Sequence, residues 1–380
     1  MSARAVVVTL DACGVGALPD AADYGDEGAA TLPHLAEAVG GLELPTLEAL
    51  GLGAIVPIRG LSPLTASAIH GRLAPAGPGK DSTTGHWELM GRPAPAPLPV
   101  YPDGFPDDVV ARLRERTGHA FCCNRPYDGL GAIDDYGEHH LATGELILYT
   151  SQDSVLQVAA HTDVLAEDDL RAACAAIREE MTGEHAVGRV IARPFAGTPD
   201  AFERTAGRRD FAVEPPGETV LDALREGGVE VHGVGKIRDL FAGRGIAHHH
   251  AAPGNPEALA ATSALLRDLD GGLVFTNLID TDQVFGHRKD VEGFHAALRE
   301  IDMAVEGWLA HLRAGDLLIL TADHGVDPAA PHSDHTREHV PLLAVGPGIE
   351  PRRHDGAMAD VGATVLRRLT GESRFGEPFA

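Results

Sequence analysis

The apolar positions of this 380-residue chain fall into short β-branched runs that alternate with stretches of helical spacing. Residues 5–10 (AVVVTL), 229–234, 272–279 (GLVFTNLI), 317–320 and 341–345 are compact apolar runs bounded by turn residues, the signature of buried strands. Between residues 291 and 312, Phe294, Leu298, Ile301, Val305 and Leu309 recur at the spacing of one helix face. Further helices are expected over 219–226 and 360–369. Strand and helix in alternation predict an α/β fold with a central, mostly parallel sheet.

The rhythm breaks at about Pro93, where PAPAPLPVYPDGFP places proline at nearly every second position and excludes both helix and central strand. Beyond it the pattern predicts helices at 107–116 and 167–181 and strands at 145–149 and 188–192, a small α+β module. A second proline-rich hinge, FAVEPPG from Phe211, closes it. The expected organisation is a core of residues 1–95 and 216–380 interrupted by an inserted cap domain of residues 96–215.

Composition narrows the class of partner. Hydrophobic content of 44% with 45 glycines and 26 prolines describes a globular, loop-rich chain. A formal charge of -25 excludes a nucleic-acid or anionic-membrane partner, since both are bound by basic patches. No window reaches the ~18 apolar residues of a membrane span, and the N-terminal run lacks a signal-peptide cleavage site, so a cytoplasmic protein without an obligate protein partner is expected. Cys13, Cys122, Cys123 and Cys174 show no paired spacing and are expected to be free thiols.

Chemistry concentrates at strand ends. Asp11 follows the first strand; alone, it reads as readily as a helix cap. GPGKDSTTGHWE, from Gly77, is rich in glycine and hydroxyls but lacks the phosphate-loop spacing; Ser82 within it reads as a helix cap or as a metal-activated nucleophile assisted by helix N–H groups. Asp280, Asp282 and His287 follow the strand at 272–279. TADHGVDPAAPHSDHTRE, residues 321–338, packs three histidines and four carboxylates behind another strand. Imidazole beside carboxylate suits zinc, manganese or iron rather than calcium. His248–His250, in a Gly/Ala-rich stretch, reads as a surface loop. Arg193 and Arg208 flank a presumed loop at 194–207 and could clamp an anion bidentately. Asp11, Asp282, His287, Asp323, His324 and His335, with Ser82 as a seventh, are too many ligands for one tetrahedral ion and about right for two ions sharing a site for phosphoryl displacement.

The motifs DACGVG at Asp11, GKDSTTGHWE at Gly79, YTSQDSVLQ at Tyr149, GRVIARPF at Gly188, DTDQVFGHR at Asp280 and TADHGVDP…HSDHTRE resemble, in order and over nearly the whole chain, the phosphopentomutase family of the alkaline phosphatase superfamily. The resemblance implies a two-manganese core, an inserted cap, and interconversion of (deoxy)ribose 1-phosphate and 5-phosphate through a phosphorylated hydroxyl, with a sugar bisphosphate as activator. Carried over, Asp11, Ser82, Asp323 and His324 hold one ion and Asp282, His287 and His335 the other. Asp153 then binds sugar hydroxyls, and Arg193, Arg208 and Lys236 hold the distal phosphate. Two positions depart from the family pattern: Ser82 stands where threonine is usual, and Val326 where asparagine is expected. The competing readings are a plain metal-dependent phosphatase or sulfatase, a cofactor-independent phosphoglycerate mutase, and a non-enzymatic metal-binding protein.

Overall fold

The computed structural model describes residues 3–64, 66–151 and 154–380. It divides into two compact units, Met1–Pro97 with Pro215–Ala380, and Leu98–Glu214. The first unit contributes β1 (Arg4–Leu10) and β2 (Ile69–Ala74) before the chain enters the second. There it forms β3 (Phe121–Pro126), β4 (Leu146–Thr150), β5 (Val155–His161), β6 (Arg189–Thr198), β7 (Ala201–Arg204) and β8 (Arg209–Ala212). It returns with β9 (Val231–Val234), β10 (His248–His250), β11 (Gly272–Leu278), β12 (Leu317–Thr321), β13 (Val340–Val345) and β14 (Gly356–Ala357).

In the first unit eight strands form one sheet in the order β10-β9-β11-β1-β12-β13-β2-β14. Every pairing is parallel except the two made by β13. The middle strands carry no alternation because both faces are covered: all seven residues of β1 and all five of β12 are buried. Each such aliphatic side chain contributes about 1.5–3 kcal/mol by leaving water. The helix Val291–Leu309 buries Phe294, Leu298, Ile301, Val305 and Trp308 along its apolar face. At the opposite end of the sheet from the strand tips, Arg4 at the start of β1 reaches the Asp316 carboxylate just before β12, with Nε 3.2 and 3.1 Å from its two oxygens, and both side chains are buried.

The second unit is a six-stranded sheet in the order β3-β4-β5-β6-β7, with β8 pairing β6. Its strands do alternate, between two apolar layers. Leu146, Leu148, Leu156 and Val158 pack with Leu113, Leu170 and Ile177 of the helices Asp107–Thr117 and Glu167–Glu180. Ile147, Tyr149 and Ala159 pack with Ala132 and Ile133 of the helix Gly131–Thr143.

Two expectations are corrected. Residues 194–207 are not a loop between arginines: β6 runs on to Thr198 and turns into β7, with Phe195 paired to Arg204. His248–His250 is an edge strand rather than a loop, because its backbone completes a parallel ladder with β9. Among the described residues no helix is long and apolar enough to cross a membrane, and all four cysteines are free.

Candidate metal centre

The site is assembled at the C-terminal ends of the three central parallel strands, where open α/β sheets place their ligands. Asp11 follows β1. Asp282 lies in the single π-helical turn Thr281–Gly286 after β11, and Asp323 and His324 follow β12. His335 precedes β13, and because β13 is antiparallel its N-terminal end lies at the same edge of the sheet.

Around Asp11 the contacts are short. His324 Nε2 is 3.3 Å from Asp11 Oδ1 and 3.4 Å from Asp323 Oδ2. The Ser82 Oγ lies 3.0 Å from the same His324 nitrogen and donates a long bond of 3.4 Å to Asp11 Oδ1. On the other side, Asp282 Oδ1 stands 3.3 Å from His287 Nε2 and 3.5 Å from His335 Nε2. Asp282 joins the halves: it groups with His287 and His335, and also with Asp11 and His324, with donor atoms within 4.8 Å of one another. His324 Nδ1 faces the Gly325 carbonyl at 3.2 Å, and His287 Nδ1 faces that of Ser333 at 2.6 Å. Those bonds fix the tautomers and leave each Nε2 as the donor turned to the cluster.

Charge at the cluster is unbalanced without a cation. Burial alone would raise the Asp11 pKa, but its bond to His324, the charge on that ring and the charge of Lys236 hold it well below the usual 3.8. Burial would likewise lower His324, yet Asp323 and Asp11 push it well above 6.5. The remaining polarity is unmet: Asp282 Oδ1, Asp323 Oδ2, His335 Nε2 and Asn277 Oδ1 are buried without a hydrogen-bond partner. Three of these four atoms belong to the candidate ligands, so the donor set fits divalent cations bound by N and O.

The loop carrying Ser82 is held from below. Asp81, not Ser82, caps the helix Ser82–Leu89: its carboxylate accepts from the amides of Thr83 and Thr84, each at 3.0 Å, and from the Thr84 hydroxyl at 2.7 Å. The expected cap role of Ser82 is therefore corrected, since the shorter reach from Asp81 satisfies those amides and frees the Ser82 hydroxyl. The same cap occupies the Thr83 and Thr84 amides, so these helix N–H groups are not free to face a phosphate. Arg337 donates to the carbonyls of Gly77 and Gly79 at 2.8 and 2.9 Å and pairs with Asp20 at 3.0 Å. Glu338, buried, accepts from Gly16 N at 3.0 Å, Thr31 N at 2.9 Å and the Thr31 and Thr336 hydroxyls. A Cβ on Gly14 would sit 2.3 Å from Glu338 Oε2, which is why glycine follows Cys13 there. Ala12 takes a left-handed φ of 66°, and its amide donates to Asp323 Oδ1 at 3.3 Å. A strained residue at a ligand-bearing strand tip is typical of functional sites.

A family model described as the metalloenzyme superfamily matches residues 3–372. The phosphopentomutase of Carboxydothermus hydrogenoformans is 49% identical over 380 residues, covering 99% of this chain and 98% of that protein. That of Caldanaerobacter subterraneus subsp. tengcongensis is 46% identical over 369 residues, covering 96% and 94%. The chain belongs to the phosphopentomutase family. As a phosphopentomutase it is an isomerase of the intramolecular phosphotransferase kind, and as a member of the metalloenzyme superfamily it uses divalent metal. Among solved structures, a phosphoglycerate mutase from Leishmania mexicana aligns with a TM-score of 0.51 at 15% identity, covering 98% of this chain and 96% of that one. That likeness concerns the fold alone, an α/β core with a mixed, mostly parallel central sheet and a second sheet.

Several phosphopentomutase residues at this centre carry no role in the reading of the sequence. Asn277, the last polar residue of β11, donates to Asp11 Oδ2 at 2.8 Å. His86, fully buried, points Nδ1 at the Ser82 carbonyl at 2.8 Å and lies 3.2 Å from Asp323 Oδ2. The signal for Asn277 was a lone amide closing an apolar strand; the signal for His86 was its place in TGHWE. Asp280 bonds the Asn255 amide at 2.9 Å, at the start of the helix Asn255–Asp268, and so serves that helix. Val326 is buried, its amide donating to Ala12 O at 3.2 Å, so packing replaces a polar group beside the centre. Burial and the nearby Asp11 push the Cys13 thiol well above 9.0, which keeps it protonated.

The anion-binding candidates are more scattered. Lys236, half-buried after β9, is close enough for its charge to bear on Asp11. Arg193 donates to Gln157 Oε1 at 2.9 Å; burial lowers its pKa, with Arg208 and Arg204 adding to the effect. Arg208 engages Asp210 through two bonds of 2.7 Å. Asp153 lies outside the described residues.

Proposed function

We propose that this enzyme interconverts (deoxy)ribose 1-phosphate and (deoxy)ribose 5-phosphate through a phosphorylated Ser82 beside two manganese ions. The observation that carries the reading is the position of the Ser82 Oγ, 3.0 Å from His324 Nε2 and 3.4 Å from Asp11 Oδ1, beside buried ligand atoms that have no hydrogen-bond partner. Asp11, Ser82, Asp323 and His324 would hold one ion and Asp282, His287 and His335 the other. Bound there, the ions would neutralise the charge of the transferring phosphoryl group.

The chain's own residues supply the rest. Asp81 and the helix it caps hold the serine hydroxyl still, which is the larger part of catalysis for a transfer that needs mainly positioning. Of the neighbouring hydroxyls, that of Thr84 is spent on Asp81, which favours Ser82 as the acceptor. Phosphoserine 82 passes its phosphoryl group to the free hydroxyl of a pentose monophosphate: the bond from phosphorus to the serine oxygen breaks, and one to the sugar oxygen forms. The resulting bisphosphate returns its other phosphoryl group to Ser82, and a sugar bisphosphate would prime an unphosphorylated enzyme by the same step. Arg193, Arg208 and Lys236 take the distal phosphate and Asp153 the sugar hydroxyls. Support for the arginines is the like-charge neighbourhood of Arg193, Arg204 and Arg208, which an anion relieves.

A coupled assay of ribose 1-phosphate conversion, run on chelated protein and after manganese is restored, tests the reading. Mutase turnover that returns with manganese supports it. Release of inorganic phosphate without isomerisation would point instead to a phosphatase on the same core.

A further inference from the structure

At the edge of the core sheet, β10 pairs with β9 so that His248 stands directly beside His232. Residues two apart on a strand share a face. Glu230, just before β9, therefore projects from the same face as His232, His248 and His250, and His249 from the opposite one. The rings of His232 and His248 stack with centroids 4.3 Å apart, and those of His232 and His250 with centroids 5.3 Å apart. Glu230, His232 and His248 each offer a donor atom within 4.8 Å of the others, and His248 Nε2 is 3.5 Å from Glu230 Oε2.

His232 supplies the second observation. It is only 6% exposed, and its Nε2 is buried with no hydrogen-bond partner. Its other nitrogen, Nδ1, lies 3.0 Å from His250 Nε2. That is the pattern of a metal-binding histidine, in which one nitrogen is oriented by a neighbour and the other is open to an ion. Glu230 and His248 are exposed, which gives an ion a way in.

We propose that Glu230, His232 and His248 form an additional site for a divalent transition metal of the zinc, nickel or cobalt kind, with His250 positioning His232. Two imidazoles and one carboxylate leave a fourth position for water and favour these ions over manganese. The carboxylate-rich centre at Asp11 and Asp282 has a different donor balance. A bound ion would tie the three-residue edge strand β10 to β9 by a bond across the ladder.

The test uses the full chain with its catalytic centre first saturated with manganese. Zinc is titrated in by calorimetry, and metal content per chain is measured after gel filtration. Wild-type protein is expected to take up one zinc more than His248→Ala, and zinc should raise the melting temperature of wild type but not of that variant. His250→Ala should bind this zinc roughly 10- to 100-fold more weakly. His249→Ala, altered on the opposite face, should keep it. Mutase activity with manganese should be unchanged in His248→Ala. Equal zinc content in wild type and His248→Ala overturns the proposal, and so does equal loss in His248→Ala and His249→Ala, which would mean that the tract binds zinc only as a surface ligand.

Discussion

Gly85→Ala is the substitution that most directly tests whether the serine-bearing helix must sit where it does. Gly85 is buried, and a Cβ there would lie 2.4 Å from the Asp323 carbonyl oxygen and 2.9 Å from Asp323 Cβ. Ordinary contact for such atoms is about 3.5 Å, so helix and strand end must separate by roughly 1 Å. The clash is with backbone, which cannot swing aside as a flexible side chain would. Gly85 lies in the same helix as Ser82, so the separation moves the serine relative to His324 and Asp323. A misplacement of about 1 Å at a reacting group costs on the order of a hundredfold in rate, about 2.7 kcal/mol. Overpacking costs about 1–3 kcal/mol of stability, which a chain of this size tolerates. The assay is kcat/KM for ribose 1-phosphate alongside the melting temperature and metal content. The expected result is a folded, metal-binding protein with kcat/KM down roughly a hundredfold. Wild-type kcat/KM in folded Gly85→Ala would show that close approach of this helix to Asp323 is not what positions the nucleophile.

Asp323→Asn and His335→Ala are each expected to abolish turnover and to lower bound metal below two per chain, measured by elemental analysis; full metal and full rate in either would remove these residues from the ligand set. Ser82→Ala, incubated with a sugar bisphosphate, should show no added phosphoryl mass in intact-mass spectrometry, whereas a phosphorylated variant would move the acceptor to another hydroxyl. Arg193→Ala should lose roughly ten- to a hundredfold in kcat/KM for ribose 5-phosphate, the value of one charge-assisted contact of about 1.5–3 kcal/mol, and an unchanged KM with an unchanged ratio of hydrolysis to mutase turnover would free it of that role. Asp316→Asn leaves the buried Arg4 guanidinium uncompensated and should cost about 3–5 kcal/mol in denaturant unfolding. Burial alone would raise the Asp316 pKa, but its bonds to Arg4 lower it below 3.8. The wild-type contribution is therefore fully present above that pH and fades as pH falls below it.

The ligand-bearing strand tips were legible because buried parallel strands are nearly pure apolar runs, so a carboxylate that ends one is conspicuous. Asp11 after β1 and Asp323 after β12 stand out in this way. The second unit was less legible. β3 and β5 were missed because Phe121–Pro126 is interrupted by polar residues and a register shift, and because Val155–His161 carries Gln157 in its middle. The helix Gly131–Thr143 escaped because charged residues and histidines dominate it and only Ala132, Ile133, Gly137 and His140 are buried. Supporting contacts such as Arg337 to Gly77 and Gly79 span more than 250 residues, and no local pattern encodes a pairing of that range.

His335 shows how topology completes what local pattern begins. A sheet whose strands were all parallel would deliver new side chains to this edge only once per strand, from the loop that follows it. The reversal at β13 makes the connection from β12 both leave and re-enter at the same edge, so residues 322–339 supply Asp323 and His324 on the way out and His335 on the way back. One connection can then offer donors to both halves of the centre: His324 reaches Asp11, and His335 reaches Asp282. The ring centroids of His324 and His335 are only 4.1 Å apart, so the two halves meet within this one loop. Glu338 and Arg337 lie between His335 and β13, and their bonds to Thr31, Gly77 and Gly79 pin the returning strand to the segments that carry the other donors. The run of ligand and anchor residues from Asp323 to Glu338 is dense because a single out-and-back loop both donates to the centre and fastens it.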